Sequence, residues 1–456
     1  MKHLTTTLFT LICIVTLITT SAFAGSIIYT QTDYATGLLG AHETAETVSS
    51  DVMPIHQDSS VKTDGSDIYV LEARGADTVT KINPADMSVV YQYSVGVDSN
   101  PKDIVFYGSD AYVMLYDTPK ILMVDPNATS EAAFVKSEID ISQWADSDGS
   151  PEAIMGFAHS GLIYVVLQRY DLNTYTAGTA ALIAIDPETQ AIVDFNDTDE
   201  GIQGIDLILK NPQWGAITGN HLFLGGTSYG VTDEGVMKID LNDSSAMTQT
   251  KVFSESDNAS TMAGLYVFDD TTGVIAAFDE NWNAVPYRFN PSTGEVSDAL
   301  PVPDAGGGVA FNDGVIYVGA RDFNGPAIYR VDAVSNALIG EKTPTTLPPY
   351  SIMYFESGTT AVDESDATPA AFEINTVMPN PFNPTTSISF TLNEGAQVNA
   401  EIFNSTGQKI DTLVKSHFSA GNHTLNWNAS AMPSGIYFVR ISSGGSSVSA
   451  KMTLLK

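Results

Sequence analysis

The sequence predicts an all-β chain: a ring of repeated four-stranded units that joins its own two ends, followed by a small antiparallel sandwich. Three observations carry that expectation. A pattern of strand, polar turn, strand and terminal Asx residue recurs along most of the chain. The two ends of the repeated region each hold a complementary part of one copy. After a polar stretch, period-two alternation begins again in short strands.

The chain opens differently, with MKHLTTTLFTLICIVTLITTSAFAGS. Lys2 and His3 form a basic start, Leu8 to Ile18 an apolar stretch, and Ala22 and Ala24 a small-residue cleavage pattern. Residues 1–24 therefore read as a secretory signal, with Gly25 the first mature residue. No other stretch approaches the apolar length of a membrane span, so no transmembrane anchor is expected. Cys13 is the only cysteine and lies in the signal, preceded by Ile12 where a lipoprotein site needs a small residue. Disulfides, thiolate metal sites and cysteine nucleophiles are thereby excluded from the mature chain. With 20 Lys and Arg against 54 Asp and Glu, the formal net charge is −34. That field repels phosphate backbones, so nucleic acid is not an expected partner; it suits solubility or calcium.

The repeat is visible in PKDIVFYGSDAYVMLYDTPKILMVDP, in PEAIMGFAHSGLIYVVLQ with AALIAIDP, and in GGGVAFNDGVIYVGARDFNGPAIYRVDA. Each copy has three apolar strands and a weaker fourth, such as SVVYQYSV. Asn83, Asp125, Asp186, Asp240, Asn290 and Asp332 end the third strand, and proline follows four of them. An Asx side chain accepts the backbone NH two residues on, and proline fixes φ, so the pair stops a strand and starts a turn. The six are separated by 42, 61, 54, 50 and 42 residues, which fits propeller blades of ~40–50 residues with loop insertions. A seventh copy, at Ile27 to Thr32, lacks its first strand, and PPYSIMYFESG (348–358) is a first strand without a second. Pairing them removes two open edges. The expectation is a seven-bladed β-propeller with terminal-strand closure over residues 25–356. Its strand-two patterns AYVML, IYVVL and IYVGA resemble those of the YVTN-type surface propellers, a scaffold that serves many purposes.

Residues 357–374, SGTTAVDESDATPAAF and its neighbours, are polar and acidic and read as a linker. Over 375–456 the strands SISFTL, VNAEIF, HTLNW, GIYFVRI and VSAKMTLL alternate between turn residues, as in a small antiparallel β-sandwich. In order, NPFNPTT, STGQKIDTL, AGNHTLNWN, MPSGIYFVRI and KMTLLK resemble the type A C-terminal sorting domain of the type IX secretion system. The resemblance implies a Gram-negative source among the Bacteroidota or allied phyla and the type IX machinery as partner. It also implies a secreted, extracellular or outer-membrane-surface destination. Trp427, Tyr437 and Phe438 read as core, Gly421 and Gly435 as turn residues, and Lys451 and Lys456 as exposed charges.

In a propeller, the connections from strand two to three and those entering strand one share one face around the channel. Here they carry Arg74, Tyr116, Asp117, Arg169, Tyr170, Tyr229, Trp282, Arg321, Asp322 and Phe323, with Asp33, Tyr34 and Glu280 beside them. Only five arginines lie in the propeller, and three fall in these loops; Arg288 and Arg330 lie on third strands and read as exposed blade-edge residues. Aromatic faces stack on sugar rings while Arg grips a carboxylate bidentately, so the set suits a glycan. The bland alternative is Arg–Asp pairs neutralising one another, worth ~0–1 kcal/mol. For metals, Asp146, Asp148, Ser150 and Glu152 place oxygens at alternate positions around Gly149, as calcium loops do, without the twelve-residue EF-hand register. Asn196 to Gly201 has the same look. His42, His56, His159 and His221 do not pair at ligand spacing.

No sialidase Asp-box of S-x-D-x-G-x-T-W form and no G-x-S-x-G elbow occurs, and a radical copper site would need a cysteine. The function expected is therefore non-catalytic binding of a glycan, polymer or protein through the channel-face loops, with no cofactor required and calcium the candidate ion. Two alternatives remain: a calcium-dependent propeller hydrolase or lactonase, and a structural surface-layer protein.

Overall fold

A computed structural model describes residues 25–44, 50–196, 201–227, 234–242, 247–258, 261–322, 325–356, 372–380, 382–392, 395–404, 409–443 and 446–456. The segment read as a signal (1–24), Tyr229, Phe323 and most of the stretch read as linker lie outside them. The chain divides into two compact units, Met1–Glu364 and Ser365–Lys456.

Among the described residues the first unit holds seven four-stranded antiparallel sheets. Blade 2 is typical, running outward through Ser59–Thr63, Ile68–Glu72, Thr78–Asn83 and Ser88–Ser94. Its second strand, IYVLE, is buried at every position, whereas the fourth, SVVYQYS, is mostly exposed. The difference follows from stacking blades face to face. An inner strand is covered on both sides and reads as a continuous apolar run rather than an alternation. Each Val, Ile or Leu so enclosed contributes about 1.5–3 kcal/mol. The first strands of blades 3 to 6 are Pro101–Tyr107, Ala153–His159, Pro212–Thr218 and Met262–Val267; each contacts the blade before it. Blade 7 begins at Val309–Asn312 and shares a core with blade 6 through Val274, Ile316 and Val318.

Blade 1 completes the ring. Its strands Ser26–Thr32, Gly37–Glu43 and Ser50–Ile55 are joined on the inner side by Pro349–Phe355. Ile28 lies opposite Met353 and Tyr29 opposite Ile352, so the propeller closes by its terminal strand as the half-repeats predict. Side chains fasten the seam where the register shifts beside Gln31. Buried Gln31 accepts the NH groups of Thr346 and Leu347, both at 3.0 Å, and donates to Asp51 at 3.0 Å.

The six Asx residues behave as the turn argument predicts. In each, Oδ1 accepts the NH two residues on, at 2.8 Å for Asp125 and Asp186 and 3.2 Å for Asp332, with Asn83, Asp240 and Asn290 between. Two other expectations need correction. Arg288 and Arg330 are half-buried and not exposed edge residues. Arg288 Nη1 donates to Ala333 O of blade 7 at 2.7 Å, and Arg330 Nη1 to Thr44 O of blade 1 at 3.4 Å, so both tie neighbouring blades together.

The second unit is a sandwich of a three-stranded sheet (Phe372–Met378, Thr385–Leu392, Gly421–Asn428) and a four-stranded sheet (Ala396–Asn404, Lys409–Phe418, Gly435–Ser443, Ser446–Leu454). Its first strand starts at Phe372, inside the stretch read as linker, because Phe372 and Ile374 pair with Leu392 and Phe390. Trp427 and Tyr437 are core residues with rings 5.1 Å apart, and Phe382 from the proline-rich opening packs on Trp427. Gly421, at φ +120°, takes a turn conformation that L side chains avoid.

Candidate ligand-binding face

The face is built by short turns at the ends of second strands. Tyr34, Arg74, Arg169 and Trp282 all follow a second strand, and all have left-handed backbone, with φ of 67°, 49°, 54° and 64°. Bulky residues rarely adopt that region, so the surrounding turn must impose it. Around Tyr34, Asp33 Oδ1 accepts the NH groups of Ala35 (2.9 Å) and Thr36 (2.7 Å), which lowers the Asp33 pKa. Around Trp282, Asp279 Oδ1 accepts those of Asn281 and Asn283, both at 2.8 Å. The result is two aromatic rings held outward, Tyr34 60% and Trp282 65% exposed.

The loops that follow second strands and those that enter first strands also carry charges. Arg74 Nε meets Asp58 Oδ2 at 2.8 Å, and Arg321 Nη2 meets Asp304 Oδ1 at 3.3 Å. Gly306 makes room for the second pair, since a Cβ there would lie 2.1 Å from Arg321 Nε. The Lys102 ammonium sits 5.4 Å from the centre of the Tyr116 ring. Burial lowers the Lys102 pKa, with Asp58 and Asp117 acting against it and Arg74 reinforcing it. Burial likewise raises Asp117, opposed by its hydrogen bond with Asn100 and by Lys102. Tyr350, 41% exposed, feels Asp58, Tyr34, Arg74 and Arg321, although burial is the main cause of its raised pKa. Tyr350 thus marks where blades 1, 2 and 7 converge.

Other predicted residues have different employment. Tyr116 Oη donates to Gln168 Oε1 at 2.7 Å, and Gln168 Nε2 donates onward to Asn211 Oδ1 at 2.8 Å, linking blades 3, 4 and 5. Arg169 donates through Nε to Trp144 O and through Nη1 to Thr179 O, both at 3.0 Å, and so braces backbone. Tyr170 belongs to a two-residue hairpin, Tyr170–Asp171 with Thr176–Ala177, absent from the sequence reading. Asp322 is exposed, and its carbonyl accepts Gly325 NH at 3.0 Å. Lys102, Asp58 and Tyr350 were missed because strand one and its entry loop carry no pattern that marks the channel-facing positions; PPY at the closing strand was the only signal.

Asp146, Asp148 and Glu152 do come together, with one oxygen of each within 4.8 Å of the others. They lie in the loop that leads into the first strand of blade 4. Asp148 Oδ1 accepts Ser150 NH at 2.9 Å and Oδ2 accepts Leu172 NH at 2.7 Å. Glu152 is fully buried and accepts Tyr170 NH at 2.8 Å through Oε2. Burial, then the charges of Asp148 and Asp146, push its pKa up to about 8. Among the described residues this is the only carboxylate or histidine grouping that could hold a metal; Asn196 to Gly201 lies largely outside them.

Residues 376–454 match the family described as the secretion system C-terminal sorting domain. No curated protein matches the chain. Among solved structures, a protein from Lactobacillus plantarum superposes with a TM-score of 0.51 at 11% identity, over 73% of this chain and 99% of that one. PorZ, a surface component of the type IX secretion system of Porphyromonas gingivalis, gives 0.40 at 14% identity, over 92% of this chain and 56% of its own. TolB from Acinetobacter baumannii gives 0.38 at 12%, over 73% and 67%. The chain therefore spans little more than half the length of PorZ. At 11% identity the likeness to the Lactobacillus plantarum protein is one of fold. Among the described residues, no helix is long and apolar enough to cross a membrane.

Proposed function

We propose, for a propeller whose type IX sorting domain addresses it to the cell surface or the medium, that the face carrying Tyr34, Arg74, Trp282 and Tyr350 binds a glycan without transforming it. One observation carries the reading: Tyr34 and Trp282 are more than half exposed while their backbones are held in a conformation that aromatic residues avoid. Exposed aromatic rings on turns of fixed backbone suit stacking on pyranose faces. The Arg74–Asp58 and Arg321–Asp304 pairs supply donors and acceptors side by side, as vicinal hydroxyls require.

The test is binding of the purified chain to a glycan array, followed by titration of any retained sugar. Trp282→Ala and Tyr34→Ala should each weaken binding by about tenfold, as expected for loss of one stacking ring worth about 0.5–1.5 kcal/mol beyond its buried area. The glycan should be recovered intact after incubation. An array without retained sugars, or unchanged affinity in the double variant, rejects the reading.

A further inference from the structure

We infer that the loop 146–152 entering blade 4 is a calcium site, and that the bound ion locks the neighbouring Tyr170–Ala177 hairpin onto the propeller. The inference stands apart from the glycan reading.

The first support is placement. Asp146, Asp148 and Glu152 lie within seven residues of one loop, and one oxygen of each comes within 4.8 Å of the others. The turn at Gly149, at φ +97°, folds the loop back on itself. The second is an imbalance in hydrogen bonding. Donors are present for one oxygen of Asp146 (from Asp148 NH, 3.1 Å), for both oxygens of Asp148, and for Glu152 Oε2. Glu152 Oε1 and Asp146 Oδ2 are buried and accept nothing. Glu152 as a whole is 0% exposed, so bulk solvent does not reach it. A buried carboxylate oxygen without a donor is costly, and a cation is the partner that three clustered carboxylates call for.

The donor set selects the ion. All the ligands are oxygens on a short turn, with no thiolate or imidazole, which favours calcium over zinc. Magnesium demands a tighter octahedral shell and keeps its waters. The hairpin is already fastened to this loop at three further points. Asp148 Oδ2 accepts Leu172 NH, the Ser147 hydroxyl donates to Asp171, and Asn173 Nδ2 reaches Ser147 O at 3.5 Å. An ion that orders the loop therefore orders the hairpin, which displays Leu172 and Tyr175 at 43% and 75% exposure.

Calorimetric titration of the chelator-treated full chain with calcium chloride should show a site with Kd of about 10⁻⁴–10⁻³ M, as in extracellular calcium modules. Saturating calcium should raise the unfolding midpoint by roughly 2–5 °C and slow proteolytic nicking within residues 170–177. Glu152→Gln should delete that site and abolish both effects. It should fold without calcium about as well as the native chain, because Gln fits the same space and keeps an acceptor for Tyr170 NH. Asp148→Asn serves as the second variant. Absence of a calcium site in the native chain, or titrations identical in native chain and both variants, overturns the inference. So does a midpoint and nicking rate indifferent to calcium. None of these results depends on whether a glycan binds.

Discussion

His42 shows how a single buried side chain sets a pH response. It is 3% exposed, its ring meets Tyr29 edge-on at 5.9 Å, and neither ring nitrogen has a hydrogen-bond partner. Burial, then the charge of Arg330, holds its pKa at about 4, below the ordinary 6.5. Between these two values the unfolded chain takes up a proton that the folded chain refuses. Stability therefore falls as pH drops from 6.5 toward 4 and levels off below that, a loss on the order of 3 kcal/mol. His42→Leu should flatten this part of the profile, read by urea unfolding at pH 7 and pH 4.5; equal pH dependence in both proteins contradicts it. At this scale the sequence is legible where the cause is local. All six Asx turns follow from a side chain reaching two residues along its own backbone. Burial is not local, and so neither the orphaned His42 ring nor the enclosed Glu152 could be read from its neighbours.

Among elements, the seam of blade 1 is the most informative. Each half-repeat is incomplete, and an unpaired strand edge is unfavourable, so their pairing could be argued without coordinates. What could not be argued is the fastening by Gln31, which depends on how the loop before Pro349 folds back. Gln31→Ala leaves the NH groups of Thr346 and Leu347 without their acceptor and should cost about 1–2 kcal/mol. A lowering of the propeller's thermal midpoint by roughly 1–3 °C is expected, and an unchanged midpoint would show that the seam does not rely on this side chain. The Tyr170–Ala177 hairpin was illegible for a different reason. Its strands are two residues each, too short to show any alternation. Arg288 and Arg330 misled because third-strand positions look like edge positions until the next blade is seen to lie within reach.

For the whole molecule, the division into two units with separate cores assigns separate tasks. The tail's address was legible because five motifs occur in a fixed order, whereas the ligand of the ring was not, because loop residues are chosen by a partner rather than by the fold. Deleting residues 376–454 should leave the propeller's unfolding midpoint within about 1 °C, since no part of its core is lost, but reduce the exported fraction to background. Fractionation of cells expressing the truncated chain checks this; export at native levels would show that the tail is dispensable.

The strand 349–355 that completes blade 1 is also the last part of the ring to be synthesised. Every other blade is built from one continuous stretch of chain, whereas the first keeps its inner edge open until residues 349–355 join it. A chain that ends before residue 349 is therefore left with an exposed strand edge, which invites pairing with other chains, and it also lacks the sorting domain at 376–454.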